Sequence, residues 1–241
     1  MADPPNYVDI QGEMVEVLHE TASHKYLGRY LAGDLDERAE VEVKHRIQQA
    51  WYKFHQHQRV LTNQHISVKL RMKLFDAAIS PSLLFGVAAL PLYENLATKI
   101  DIVQRKMMRR IVGWTRVPDE SWEITMRRMG NKVAGALRQW PVKTWSNRIA
   151  HTRWDLARRL NSMPIHRWAN LCIRWQPIIT NDPFLPTKPV RDRGRPHLRW
   201  DDTLRKYCAA KFGKDWYDVH PTAMKNHYEE FVANLGKYET I

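Results

Sequence analysis

Apolar and polar residues alternate near the start of the chain, a spacing that predicts β-strands. The segments 7–10 and 14–18 alternate on either side of a short turn, which predicts a β-hairpin. A third short strand is predicted over 25–31, where Gly28 indicates a bulge or a close approach of another backbone. Residues 1–35 are therefore predicted to form a small β element.

Helical spacing replaces this alternation from about residue 36. An apolar stripe with helical intervals predicts a first helix, which Asp36 caps. The stripe consists of Val43, Ile47, Ala50, Trp51 and Phe54. A second helix, capped by Ser67, is predicted over 68–79, because the residue before Pro81 resists the helical conformation. The nearly uninterrupted apolar run 82–90 predicts a short core helix.

The later helices are predicted from stop signals as well as from spacing. Gly113 ends a helix that begins near Asn95 or Thr98, and Pro141 separates two more. The predicted ranges are 95–112, 122–137, 142–160, about 200 to beyond 207, and 222–235. Residues 164–198 are predicted to be irregular, with a Pro-rich linker near 176–198. The predicted fold class is mainly α: a small β element (1–35), a helical bundle (36–120) and a second, basic helical part (121–241).

The charge balance adds a function class to this picture. The chain carries 38 Lys and Arg against 26 Asp and Glu, a formal net charge of +12. Residues 1–40 hold 3 basic and 9 acidic side chains, whereas residues 101–160 hold 14 basic and 5 acidic ones. A basic excess concentrated in one segment is typical of proteins that bind nucleic acid, although a solvated surface would have the same composition.

Composition excludes several other classes. Hydrophobic residues make up 44% of the chain, which indicates a packed protein. Cys172 and Cys208, without a CxxC motif, exclude a disulfide-dense scaffold and the usual zinc motifs, and both thiols are expected to be reduced and buried. With no apolar run of about 18 residues and no signal peptide, an intracellular protein without a membrane span is expected, its compartment left open.

The helix predicted over 95–112 separates two faces. Its apolar face consists of Ile100, Val103, Met107 and Ile111. The cations Arg105, Lys106, Arg109 and Arg110 occupy an opposing arc of roughly 140°. Such a face can follow a phosphate backbone, each neutralised phosphate releasing counterions; a solvated face without a ligand is the alternative.

Further candidate nucleic-acid contacts lie downstream. They are Arg127, Arg128, Arg148 and Arg153 in the most basic segment, and Arg193, Arg195 and Arg199 in the loop 191–200. In that loop, arginine forks would bind phosphate and Trp200 would stack on bases. Alternatively, Trp200 packs into the core and the arginines form salt bridges. Most of the ten tryptophans are expected in the core, with Trp145 a partial exception.

The sequence contains no recognisable catalytic constellation. Asp201 and Asp202 invite comparison with a metal-binding pair, but they follow a flexible loop, and helix capping explains them better. His55 and His57 point to different faces of one helix, and no HExxH, GxSxG, P-loop or GxGxxG motif occurs. The chain is therefore expected to be no enzyme and to need no metal or cofactor.

Short motifs are distributed over about residues 7–205. They are Tyr26-Leu27-Gly28, Arg46-Ile47, Ala50-Trp51, Phe54, Lys69-Leu70, Lys73-Leu74, the run 81–86, the runs 104–107 and 109–114, and Gly194-Arg195-Pro196 with Arg199-Trp200-Asp201. Together they resemble the reverse transcriptases of non-LTR (LINE-type) retrotransposons, in the region just beyond the palm. In that family a YLG strand belongs to the primer grip and leads into the thumb, which assigns Tyr26, Leu27 and Gly28 to a primer-grip-like position.

The resemblance implies a thumb and connector that bind RNA or an RNA–DNA duplex without chemistry. The family's catalytic aspartates lie on the palm, upstream of the YLG strand, and no fingers or palm segment is found here, so polymerase activity is not implied. A host protein that reuses the scaffold and a translated remnant without function both fit this resemblance. The competing interpretation is a structural subunit of a large assembly, such as an organellar ribosome or another ribonucleoprotein complex.

Overall fold

The computed structural model describes residues 7–17, 22–32, 35–174 and 199–234. Within them, two antiparallel strand pairs precede a series of helices. The predicted fold class, mainly α with a small N-terminal β element, is therefore confirmed. The predicted Pro-rich linker near 176–198 lies outside the described residues.

The first strand pair is the predicted hairpin. β1 (Tyr7–Ile10) pairs with β2 (Glu13–Glu16), with Tyr7 opposite Glu16. The two turn residues, Gln11 and Gly12, both have positive φ, 56° and 88°, the combination that matches the twist of a two-residue hairpin. The Gly12 amide also donates a hydrogen bond of 2.7 Å to the Asp9 carboxylate, so a side chain of β1 closes this turn.

The second strand pair corrects the prediction of a single third strand over 25–31. β3 (Ser23–Tyr26) and β4 (Arg29–Ala32) form another hairpin, and Leu27 and Gly28 are its turn. Leu27 has a φ of 47° and Gly28 one of 78°. The run of apolar side chains conceals this turn, because leucine rarely takes the left-handed conformation that the turn requires.

Helices account for most of the remaining described residues. They are α1 (Leu35–Gln56), α2 (Gln58–Leu61), α3 (Val68–Leu74), α4 (Ser80–Leu84), α5 (Glu94–Ile111), α6 (Trp122–Gln139), α7 (Trp145–Ser162), α8 (Trp168–Arg174), α9 (Asp202–Phe212), α10 (Pro221–Asn226) and α11 (Tyr228–Ala233). Short 3-10 turns lie at Val87–Ala89 and Trp216–Asp218. α8 falls inside the stretch predicted to be irregular, and the helix predicted over 222–235 is divided into α10 and α11.

The helix predicted to end before Ser80 instead continues through Pro81. Ser67 caps α3 as predicted, accepting a hydrogen bond from the Leu70 amide. A π-helical turn at Phe75–Ile79 then connects α3 with α4, and Ser80 keeps helical angles of −56° and −41°. Pro81 stands in the first turn of α4, directly after the π-helical turn.

The segment Val68–Ala89 bears on the prediction that the chain contains no membrane-spanning segment. Its apolar window has a mean hydropathy of 1.3, so by length and composition alone it could cross a membrane. In the structure, 39% of that window is buried, and its inward side chains belong to the core. These side chains are Met72, Phe75, Ile79, Leu83 and Val87.

The chain divides into two compact units, which are described separately: unit 1 is Met1–Ile149 and unit 2 is Ala150–Ile241. The predicted stripe on α1 packs in unit 1, where Val43, Ala50 and Phe54 are buried and Ile47 and Trp51 are partly buried. The same core contains Trp145, whose indole N–H donates a 2.9 Å hydrogen bond to the Ser80 hydroxyl. Trp145 stacks on Phe75, so the suggestion that it is available for bases is wrong.

Unit 2 has its own aromatic core around Trp154, Tyr207, Trp216 and Phe231. Trp154 stacks on Phe231 with ring centroids 4.6 Å apart. Cys208 lies in this core, and burial raises the pKa of its thiol to about 12. Cys172 on α8 is exposed, contrary to the prediction that both thiols are buried.

Candidate nucleic-acid interface

The basic face of α5 has the geometry that the sequence predicts. Ile100, Met107 and Ile111 are buried in the core of unit 1, and Val103 is partly buried against it. On the other side of the helix, Arg105, Lys106 and Arg110 are exposed and Arg109 is half-buried. Gly113, with a φ of 84°, follows the end of α5 as expected. The packing face thus fixes the direction in which the cations point.

Three of these cations line a cavity of about 550 Å³ in unit 1. The complete lining, called the basic cavity below, is Lys106, Arg109, Arg110, Trp114, Arg116, Trp122 and Met126. It contains four basic side chains, two tryptophans and no acidic side chain. α5 supplies one wall, α6 another, and the connector between the two helices supplies Trp114 and Arg116.

The cations of the basic cavity have no counter-charge within the described residues. Among them, no ion pair forms with Arg105, Lys106, Arg109, Arg110 or Arg116. Burial, together with repulsion from Arg105, lowers the pKa of Arg109 below the ordinary value of a guanidinium. Arg110 lies over the Trp51 ring at 4.8 Å from the centroid, a cation–π contact that orients the guanidinium without neutralising it. Cations without ion pairs among the described residues therefore border a cavity whose lining surface is mostly apolar.

The two tryptophans of the cavity are exposed to an unusual degree. Trp122 is 61% exposed and Trp114 is 39% exposed. Their ring centroids are 5.9 Å apart and the rings are tilted by 57°. The sequence predicted most tryptophans to lie in the core, which does not hold for these two, and it placed Arg116 only in a connector over 114–121. The signal was the pair of tryptophans flanking an arginine directly after a basic helix.

A network around Arg128 holds the connector against α6. Arg128 donates to the Glu120 carboxylate at 2.7 and 3.0 Å and to the Thr115 carbonyl at 2.8 Å. Hydrogen bonds from Arg128 and Thr125 lower the pKa of Glu120 to about 2. Ser121 caps α6 by accepting a hydrogen bond from the Ile124 amide. Arg128, predicted as a nucleic-acid contact, thus directs its donors to the connector.

Arg127 and Arg148, the other predicted arginines of unit 1, do not line the basic cavity. Arg127 pairs with Glu123 at 2.9 Å on the exposed side of α6. Arg148 pairs with Asp76 at 2.5 Å, and Arg153 is half-buried with an interaction of its own. Arg199 is exposed in unit 2, with its Nε 3.6 Å from Asp201. Arg193 and Arg195 lie outside the described residues.

The primer-grip-like residues form the tip of the second hairpin. Tyr26 and Leu27 are 59% and 80% exposed. The Gly28 carbonyl accepts a hydrogen bond from the Arg46 guanidinium, which also donates to Glu42 at 2.7 Å. A buried ion pair on α1 therefore fixes the backbone of this turn and leaves its side chains free of the core.

The acidic pair of unit 2 has a structural role that differs in part from capping. Asp201 stands at the N-cap of α9, but its buried carboxylate makes no capping bond. It instead accepts hydrogen bonds from Arg205 at 2.8 Å and from the Trp216 indole at 3.0 Å. Asp202 accepts a hydrogen bond of 2.7 Å from the Arg199 amide just before the helix. In the part of the chain that the structure describes, no group of three or more His, Cys, Asp or Glu side chains could hold a metal ion.

The chain is similar to an uncharacterized transposon-derived protein of Caenorhabditis elegans, F52C9.6. The two are 26% identical over 206 residues, which cover 86% of this chain and 67% of the nematode protein. No protein-family model matches the chain, and no solved structure matches it. The similarity indicates a transposon-related protein.

Proposed function

We propose that this protein binds RNA or an RNA–DNA duplex through phosphate contacts, without preference for a nucleotide sequence and without catalysis. The observation that supports the proposal most directly is the basic cavity, in which Lys106, Arg109, Arg110 and Arg116 surround one opening without an acidic side chain. Arg105 extends this surface along α5. The proposal treats the chain as a thumb and connector descended from a retroelement reverse transcriptase.

The physical reason lies in how phosphates are bound. Arginine presents a planar fork of donors that matches two phosphate oxygens, and lysine adds a mobile point charge. Because these side chains have no ion pairs among the described residues, a phosphate backbone would not have to displace carboxylates. Neutralising each phosphate releases counterions, which makes the affinity fall steeply with salt concentration.

The similarity to a transposon-derived protein is consistent with this proposal. The motifs from residues 26–28 to residues 109–114 resemble those of non-LTR retrotransposon reverse transcriptases. The net charge of +12 favours a polyanionic partner. The absence of a recognisable catalytic motif from the sequence is the reason that the proposal includes binding alone.

The test replaces the four cations of α5 with glutamine, as Arg105→Gln, Lys106→Gln, Arg109→Gln and Arg110→Gln together. The buried face of α5 stays intact, so we expect the free energy of unfolding to change little. The slope of log affinity against log salt for an RNA–DNA duplex should become shallower by up to about 0.9 for each lost phosphate contact.

The matched control changes the same net charge elsewhere in unit 1. It replaces the exposed cations Lys44, Lys53, Arg59 and Lys69 with glutamine. We expect this variant to bind with a slope close to that of the unmodified protein. Equal slopes in the unmodified protein and the α5 variant, or equal losses in both variants, would refute the proposed surface.

A further inference from the structure

We infer that the basic cavity holds an unpaired nucleobase of a single-stranded segment, stacked on Trp122 and with its flanking phosphates on Arg109 and Arg110. This inference rests on the proposed function and narrows it. It assigns the cavity to the junction between a duplex and a single strand, or to a loop, rather than to continuous duplex.

The exposed indoles are the first observation that carries the inference. A solvated phosphate-binding surface needs no aromatic groups, yet Trp114 and Trp122 form part of the cavity lining. Bases stack on aromatic side chains with little sequence preference, because every base has a π face. Inside a duplex those faces are covered by neighbouring base pairs, so away from duplex ends an aromatic wall can be used only by an unpaired base.

The relative position of the two rings defines how a base can be bound. With centroids 5.9 Å apart and a tilt of 57°, the rings contact each other and leave no parallel slot between them. A base therefore stacks on the outward face of one ring. Trp122, which is 61% exposed, offers the larger free face, and Trp114 supports it from the side.

Charge and size agree with a nucleotide as the ligand. The cavity volume of about 550 Å³ falls within the range of about 300–1,000 Å³ for small-molecule sites. Arg109 and Arg110 are adjacent on α5, Arg116 approaches from the connector, and Met126 adds an apolar surface. A base on the indole would thus have the cations of the same cavity available for its phosphates.

The network around Arg128 pre-organises the stacking surface. It ties Thr115, which follows Trp114, and Glu120, which precedes Trp122 by two residues, to α6. Both tryptophans are therefore attached to backbone that is fixed before the ligand arrives. Such preorganisation lowers the conformational entropy that binding would otherwise cost.

The experiment compares three probes by fluorescence anisotropy with the full chain. One is a blunt RNA duplex, the second is the same duplex with unpaired overhangs of about four nucleotides, and the third has abasic overhangs of equal length. The abasic probe keeps the phosphates and lacks the bases. We expect the overhang probe to bind about 5- to 150-fold more tightly than the abasic probe.

Substitutions test whether Trp122 causes the tighter binding of overhangs that carry bases than of abasic overhangs. Trp122→Leu should remove the preference for bases while leaving the affinity for the blunt duplex within about twofold. Trp122→Phe should retain part of it, since a smaller ring still stacks. The control is Trp168→Ala, which removes a tryptophan of unit 2 that is 81% exposed; it should change neither affinity.

The outcomes separate the two proposals. Equal binding of all three probes with a steep salt dependence overturns the base-stacking inference and leaves the proposed function standing. A base preference that survives Trp122→Leu also overturns the inference, because another site must then hold the base. If no probe binds even at low salt, both proposals are wrong.

Discussion

Replacing Glu42 with glutamine should destabilise unit 1 far more than a change of one exposed charge does. The Glu42 carboxylate is fully buried on α1, where it accepts hydrogen bonds from the Tyr30 amide at 2.6 Å and the Arg46 guanidinium at 2.7 Å. Arg46 is buried too and lies over the Phe85 ring at 4.7 Å. Glu42→Gln therefore leaves the buried Arg46 guanidinium without its carboxylate partner.

The expected cost follows from that uncompensated charge. Removing one partner of a buried ion pair typically destabilises a protein by about 3–5 kcal/mol. The double variant Glu42→Gln with Arg46→Met removes both charges, and methionine keeps an unbranched apolar chain against Phe85. We expect it to be more stable than the single variant, although the Gly28 carbonyl loses its Arg46 donor in the double variant alone.

The assay is urea unfolding combined with hydrogen exchange of the full chain. Exchange resolved by peptide assigns the effect to residues 23–32 and α1, which a global transition of a two-unit chain would average. The control is Glu123→Gln, which breaks the exposed pair with Arg127 at the same i,i+4 spacing and should cost less than about 1 kcal/mol. Equal costs for Glu42→Gln and Glu123→Gln would refute the argument from burial.

Two further predictions concern the connector and unit 2. Hydrogen bonds from Arg128 and Thr125 lower the pKa of Glu120 from 4.5 to about 2. The ionised carboxylate therefore stabilises the fold fully above pH 4.5, and this stabilisation is lost as the pH falls through about 2. Carbon-13 NMR titration should find the low midpoint, and Arg128→Gln should raise it. Trp200 is half-buried beside Trp216, so Trp200→Ala should cost less than about 3 kcal/mol in urea unfolding, whereas Trp216→Ala should cost about 3–5 kcal/mol.

The two faces of α5 could be predicted because helical periodicity is a local property. The spacing of Ile100, Met107 and Ile111 alone decides which side packs, and the cations follow on the other side. The stripe on α1 and the first hairpin were predictable for the same reason. In each case the relevant residues are close together in sequence, and no distant contact competes with the local preference.

Features that depend on distant partners could not be predicted. Arg148 pairs with Asp76, 72 positions away, and Trp145 donates to Ser80, 65 positions away. Trp114 and Trp122 meet where the connector, held by the Arg128 network, folds back on α6. Local composition does not determine which partner such a side chain contacts. Arginines that were expected to bind a ligand therefore form ion pairs with carboxylates of the same chain.

Because one thiol is exposed and the other is buried, the protein can be labelled selectively at a single cysteine. Maleimides react with thiolate, and burial of Cys208 with a pKa of about 12 leaves Cys172 as the reactive position at neutral pH. Both cysteines belong to unit 2, and Met1–Ile149 contains none. With Cys172 replaced by serine, a single cysteine introduced at a surface position of unit 1 would carry a fluorophore to the rim of the basic cavity, where its emission reports each encounter with nucleic acid directly.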